Sequence, residues 1–126
     1  MTLVVLSGLA IAAVVMMVTT LTRPAGETNA YLRELREGRY TAAYAHLCAA
    51  RRNETSLAAF EGEQRRRLAT EGAIVKFDVY DSSVHGNGRA TTEYTLDRTL
   101  TSQTWHVDLV KETGAWRLCH FRVLSS

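Results

Sequence analysis

The hydrophobic pattern of this chain changes period once, at Gly72. Before that glycine, apolar residues recur at helical spacing. Tyr31, Leu32 and Leu35 share one face, and Tyr40, Ala43, Tyr44 and Leu47 fall at i, i+3, i+4 and i+7. Leu57, Phe60, Gln64 and Leu68 mark a third such stripe. After Gly72 the apolar residues alternate instead: Val75, Phe77 and Val79 against Lys76 and Asp78, then Trp105, Val107 and Leu109 against His106 and Asp108. A helix buries a stripe and a half-exposed strand buries one face. A helical half followed by a strand half therefore predicts an α+β layer packing around one core.

Punctuation residues divide each half. The spacing predicts a helix over Asn29–Glu37 that stops at Gly38, a second over Tyr40–Arg51, and a third over Leu57–Ala69 that stops before Gly72. Thr55 or Ser56 supplies the N-cap of the third. In the strand half, His85-Gly86-Asn87-Gly88 predicts a hairpin, because Asn-Gly readily adopts positive φ. Ala90–Leu96, Trp105–Leu109 and Trp116–Val123 follow as strands, the last pair joined by Glu112-Thr113-Gly114. The expected domain is three helices packed on a four-stranded antiparallel sheet, spanning residues 29–124, with residues 23–28 as a linker.

All 15 basic and 13 acidic side chains lie beyond residue 22. The charge-free segment before them contains Leu3–Leu21, about the length that spans a hydrocarbon core of about 30 Å. Residues 1–22 are therefore expected to be a single-pass transmembrane anchor. A cleaved signal peptide is the alternative. The segment lacks a basic start and a small-x-small cleavage site, and its apolar run is too long. Orientation is contested within the sequence. Arg23, Arg33, Arg36 and Arg39 follow the apolar run closely and would hold the domain in the cytoplasm. The cysteines point to an oxidising compartment, and the expectation follows them, with basic residues taken to be missing upstream. The net charge of +2 on a mixed-sign chain excludes a strongly basic nucleic-acid-binding face. No cofactor motif is present.

Three stretches carry a resemblance. They are Tyr31-Leu32-x-x-Leu35-x-x-Gly38-x-Tyr40-x-x-Ala43-Tyr44, Ser56-Leu57-x-x-Phe60, and Leu109-Val110-Lys111-Glu112-x-Gly114-x-Trp116-Arg117. The chain resembles the cystatin-like, nuclear-transport-factor-2-like superfamily over roughly residues 27–123. Within it, the chain is similar to small domains of unknown function in bacterial membrane-anchored proteins and lipoproteins. The resemblance implies a cone in which a curved sheet wraps around the helices. It does not imply an activity, because this fold hosts enzymes, adaptors and binding modules alike.

Cys48 and Cys119 are the only two cysteines. In an exported domain an even count predicts a disulfide between them, the alternative being two buried free thiols. His46, Cys48, Cys119 and His120 do not converge as a zinc site, since i and i+2 on a helix diverge and adjacent strand residues point to opposite faces. An isomerase-type site would draw on Tyr44, Tyr94, Asp78, Asp108, His106 or His120, yet no carboxylate is placed inside the cone by the alternation. The cone implied by the resemblance offers a pocket whose expected lining is Tyr40, Tyr44, Phe77 and Trp105. Arg51-Arg52 and Arg65-Arg66-Arg67 read as solvated helix faces. The last strand is apolar on both faces, so Trp116 and Leu118 are expected to form an interaction surface for a homodimer or an envelope partner. The sequence thus favours a non-enzymatic, membrane-anchored, extracytoplasmic interaction domain. Binding of a small apolar ligand in the cone is the alternative, and an isomerase-like enzyme comes third.

Overall fold

The computed structural model describes residues 23–126. The expected anchor, residues 1–22, lies outside the described residues. Among the described residues no helix is long and apolar enough to cross a membrane. Helices α1 (Pro24–Arg36), α2 (Tyr40–Tyr44), α3 (Ala49–Glu54) and α4 (Leu57–Glu71) precede strands β1 (Ile74–Gly86), β2 (Arg89–Arg98), β3 (Ser102–Glu112) and β4 (Ala115–Ser125). The strands form an antiparallel sheet in the order β1-β2-β3-β4. Leu32, Leu47, Val107, Leu109 and Leu118 are fully buried between helices and sheet.

Helix α1 begins at Pro24, inside the segment expected to be a linker. Proline suits the first helical position, because its missing N–H has no partner there and its φ is already helical. The first turn is then tied to the sheet. Thr28 is fully buried, and its hydroxyl donates to the Pro24 carbonyl (2.9 Å) and lies 2.9 Å from the Thr92 hydroxyl of β2. Buried Glu27 accepts from Arg117 of β4 (2.9 Å) and meets His46 Nδ1 at 2.6 Å. The helix ends as expected at Gly38. Gly38 N–H bonds the Leu35 carbonyl and Arg39 N–H bonds the Glu34 carbonyl, the paired closure that a left-handed residue permits.

The second expected helix, Tyr40–Arg51, is broken in two. Between α2 and α3 the backbone leaves the helix and pairs with β4. Cys48 N–H donates to the Leu118 carbonyl (2.8 Å) and Leu118 N–H donates to the His46 carbonyl (2.9 Å). Leu47 stays in the core by either path, so its place in an apolar stripe does not distinguish helix from bridge. Cys48 then caps α3, its sulfur accepting from Arg51 N–H at 3.3 Å.

The sheet register shifts at several points, and two of these shifts decide which residues face the core. In β1 the register shifts between Ile74 and Lys76, which leaves Val75 outside the alternation and exposed while Phe77 and Val79 pack on the core. In β4, Asp108 pairs with His120 and Leu109 with Leu118, so Cys119 is the extra residue. Both hairpins joining β1 to β2 and β3 to β4 turn through positive φ, at Asn87-Gly88 and Thr113-Gly114.

Candidate ligand cavity

A cavity of about 420 Å³ opens between the helices and the concave face of the sheet. That volume falls within the range of small-molecule sites, about 300–1,000 Å³. Helix α1 contributes Tyr31, Leu32 and Leu35, α4 contributes Phe60, Glu63, Gln64 and Arg67, and the sheet contributes Tyr94, Leu96, Arg98, Trp105 and Phe121. Leu47, Arg51 and Thr55 close the remaining side.

Five of the lining residues are aromatic, and they touch one another. Tyr31 lies 6.5 Å from Phe60 and 5.5 Å from Phe121, ring centre to ring centre, and Tyr94 stacks on Trp105 at 6.4 Å. Guanidinium groups sit over two of these rings: Arg67 is 5.3 Å from the centre of Trp105, and Arg51 is 5.7 Å from that of Phe121. Arg98 has only 5% of its side chain exposed and donates from Nη1 to the Gly72 carbonyl at 2.9 Å. Its Nε is buried without a hydrogen bond, the nearest carboxylate oxygen being Glu71 Oε2 at 4.0 Å. Burial pushes the phenols of Tyr31 and Tyr94 well above their ordinary value and holds the Arg98 guanidinium below its own. Both phenols are therefore O–H donors at any physiological pH, and neither is hydrogen-bonded among the described residues. Glu63 is the one carboxylate in the wall, and it is held by Arg66 (2.6 Å) and Arg67 (3.2 Å).

Of the four residues expected to line the pocket, Trp105 does so. The other three are elsewhere. Tyr40 lies under Arg65 at 5.4 Å and borders a smaller cleft between the end of α1 and β1. Tyr44 packs on Phe60, and its hydroxyl donates to the Thr55 carbonyl at 2.7 Å, bracing the turn before α4. Phe77 sits beneath Arg36 at 5.1 Å, at the outer end of α1. Each belongs to an apolar pattern, Tyr40 and Tyr44 on α2 and Phe77 on β1, but none lies against the central cavity.

The expected interaction surface also moves. Leu118 is 0% exposed and Trp116 is 7% exposed, with Lys111 lying over the Trp116 ring at 5.6 Å. The bulge at Cys119 is the physical reason. It restarts the alternation, so Leu118 and Phe121 both face the helices and His120 faces outward opposite Asp108. The two apolar faces read from the strand are one face in two phases. The same bulge aims Cys119 at the segment bridged to β4, where it forms the expected disulfide with Cys48, with their Cα atoms 5.1 Å apart.

His106 belongs to the outer, convex face. There it lies 3.0 Å from Asp108 and 3.4 Å from Glu93, which also accepts from Tyr80 at 2.8 Å. Asp78 is exposed.

Tyr31, Phe60, Arg67 and Arg98 are among the many lining residues that the sequence reading did not single out for the pocket. Their signals were present. Arg98 continues the inward series Ala90, Thr92, Tyr94, Leu96 by parity, and Arg67 lies seven residues after Phe60 on the same helix face.

Helices packed on a four-stranded antiparallel sheet with a cavity between them are the arrangement expected of a nuclear-transport-factor-2-like (NTF2-like) cone. No family model and no curated protein matches the chain. Among solved structures, it is similar to a Campylobacter jejuni protein that bears the provisional name NTF2-like transpeptidase. The TM-score is 0.53 at 11% identity, over 71% of this chain and 91% of that one. It is also matched to the intermembrane space region of the chloroplast protein ARC6, with a TM-score of 0.42 at 17% identity, over 77% of this chain and 97% of that one. The first likeness shows the fold, and at that identity it shows the fold alone.

Proposed function

We propose that this is a non-catalytic binding domain, held at the extracytoplasmic side of a membrane by its apolar N-terminal segment, that takes a small molecule into the cone. The observation that carries the reading is the cavity itself: a volume suited to a small ligand, walled by five aromatic rings and left open by the packing of the helices. The placement outside the cytoplasm is supported by the Cys48–Cys119 disulfide. Binding without turnover is supported by the lining. Its one carboxylate, Glu63, is committed to two arginines, and no histidine or cysteine lies among the residues around the cavity.

Assembly with an envelope protein or with a second copy is the second reading. Trp116 and Leu118 no longer support it. What favours it is the free edge strand β1, where Val75 and Val84 are 61% and 64% exposed.

Native mass spectrometry of the full chain, extracted from the membranes of an exporting host, separates the two. The binding role predicts an oxidised chain carrying a small-molecule adduct. A ligand-free chain in a stoichiometric protein complex contradicts it and favours assembly. A chain with both thiols reduced removes the extracytoplasmic placement from either reading.

A further inference from the structure

The polar groups of the cavity are strongly unbalanced toward donors. Arg51, Arg67 and Arg98 enter the wall against a single lining carboxylate, and the phenol hydroxyls of Tyr31 and Tyr94 open onto the same space. Unpaired buried donors are costly unless something accepts from them. Such a donor is the Nε of Arg98, the most enclosed guanidinium: it has no hydrogen-bond acceptor among the described residues, Glu71 Oε2 lying 4.0 Å away. Around these groups the wall is aromatic.

From this arrangement we infer that the ligand is an amphiphilic carboxylate. Its apolar body lies among the rings of Tyr31, Phe60, Tyr94 and Trp105, and its carboxylate is received by Arg98 and Arg67. Guanidinium and carboxylate match in plane and spacing, which a neutral polar headgroup does not. A monoanion fits better than a phosphate dianion. Glu63 and Glu71 flank the same arginines, Glu63 at 3.2 Å from Arg67 and Glu71 at 3.6 Å from Arg67 and 4.0 Å from Arg98, and they would repel a second negative charge. Arg51, over Phe121 at the other side, is free to select the body by cation–π contact or to draw the anion inward.

The inference rests on the binding role proposed above, and one matched pair of ligands tests the two separately. Phenylbutyrate and phenylbutyramide share a body and a length and differ in the charge of the head. Binding of each to the oxidised full chain in a non-ionic detergent is read by isothermal titration. The acid is expected to bind at least about tenfold more tightly than the amide, as one charge-assisted hydrogen bond would provide. That preference should shrink in Arg67→Gln and Arg98→Gln while amide binding persists. Arg98 is buried and its variant is checked for folding by near-ultraviolet circular dichroism. Arg67 is partly exposed, so its variant keeps the test valid if the other fails to fold. Equal affinity for acid and amide overturns the carboxylate inference and leaves the cavity role standing. An acid preference untouched by Arg67→Gln overturns the assignment of the headgroup site. Failure of both ligands to bind tells against the binding role itself.

Discussion

Gly72 is the residue on which the junction between helices and sheet depends. It closes α4, its N–H bonding the Leu68 carbonyl, at a φ of +91° that side chains rarely adopt. A Cβ built there would lie 1.8 Å from Thr99 Oγ1. Gly72→Ala is therefore expected to destabilise the domain by about 2 kcal/mol or more in urea titration. Gly62 offers the internal comparison. It lies in the middle of α4 with open space around it, so Gly62→Ala should stabilise by about 1 kcal/mol. Similar effects at both positions would contradict the structure. The buried phenols make a second residue-scale prediction. The folded chain holds Tyr31 and Tyr94 protonated above the ordinary tyrosine range, through burial. Below a pH of about 10 both states keep the protons and the full stability is present. Above it the unfolded chain releases them while the folded chain does not, so stability falls as pH rises. Replacing Tyr94 with Phe should flatten that alkaline decline, measured by urea unfolding from about pH 9 to about pH 11. An unchanged slope would place the phenol in water.

At the scale of elements, the disulfide joins the bridged segment before α3 to the bulge of β4, closing a loop of 71 residues. A loop of that length stabilises the native state by roughly 4 kcal/mol on the chain-entropy account. The paired Cys48→Ala, Cys119→Ala variant should lose about that much in urea titration. It should keep its far-ultraviolet circular dichroism, because two backbone hydrogen bonds still tie the segment to β4. A midpoint equal to that of the oxidised chain would mean that the bond is absent in solution. This region also shows what periodicity can and cannot convey. The stripe Tyr40, Ala43, Tyr44, Leu47 correctly marks a buried side. The helix ends at Tyr44 because the next residues gain sheet hydrogen bonds from β4, a tertiary partner no local pattern contains. Pro24 falls in the stretch expected to be a linker and instead starts α1, whose first turn is held to the sheet by the contact of Thr28 with Thr92. The hairpins and the glycine stops were plain in the sequence, because positive φ is a property of single residues.

For the whole molecule, the α+β order and the cone were readable from the change of period at Gly72 together with the resemblance. The cavity was not. Whether aromatics fill a core or wall a space depends on where each helix lies over the sheet. Tyr40, Tyr44 and Phe77 settle at the margins, while Tyr31, Phe60 and Phe121 meet at the centre. Helix α4 explains the space: of its 15 residues only Phe60 is buried, so it walls the cone without filling it. The arginine triplet is another case. Arg65 and Arg66 pair with Glu61 and Glu63 in solvent as expected, but Arg67 turns inward over Trp105. Three consecutive residues on a helix point in three directions, and composition alone does not say which one meets the core.

The chain's two tryptophans report on the central claim, a cavity open to a ligand. Trp105 lines the cavity, its indole N–H donating to Gln103 Oε1 at 3.2 Å, while Trp116 is buried outside it under Lys111. An amide-nitrogen correlated NMR spectrum of the labelled full chain resolves their indole resonances. On titration with phenylbutyrate, the Trp105 indole signal should shift and saturate while that of Trp116 stays in place. If neither moves, or both drift together without saturating, the cone is a filled core and the binding account is wrong.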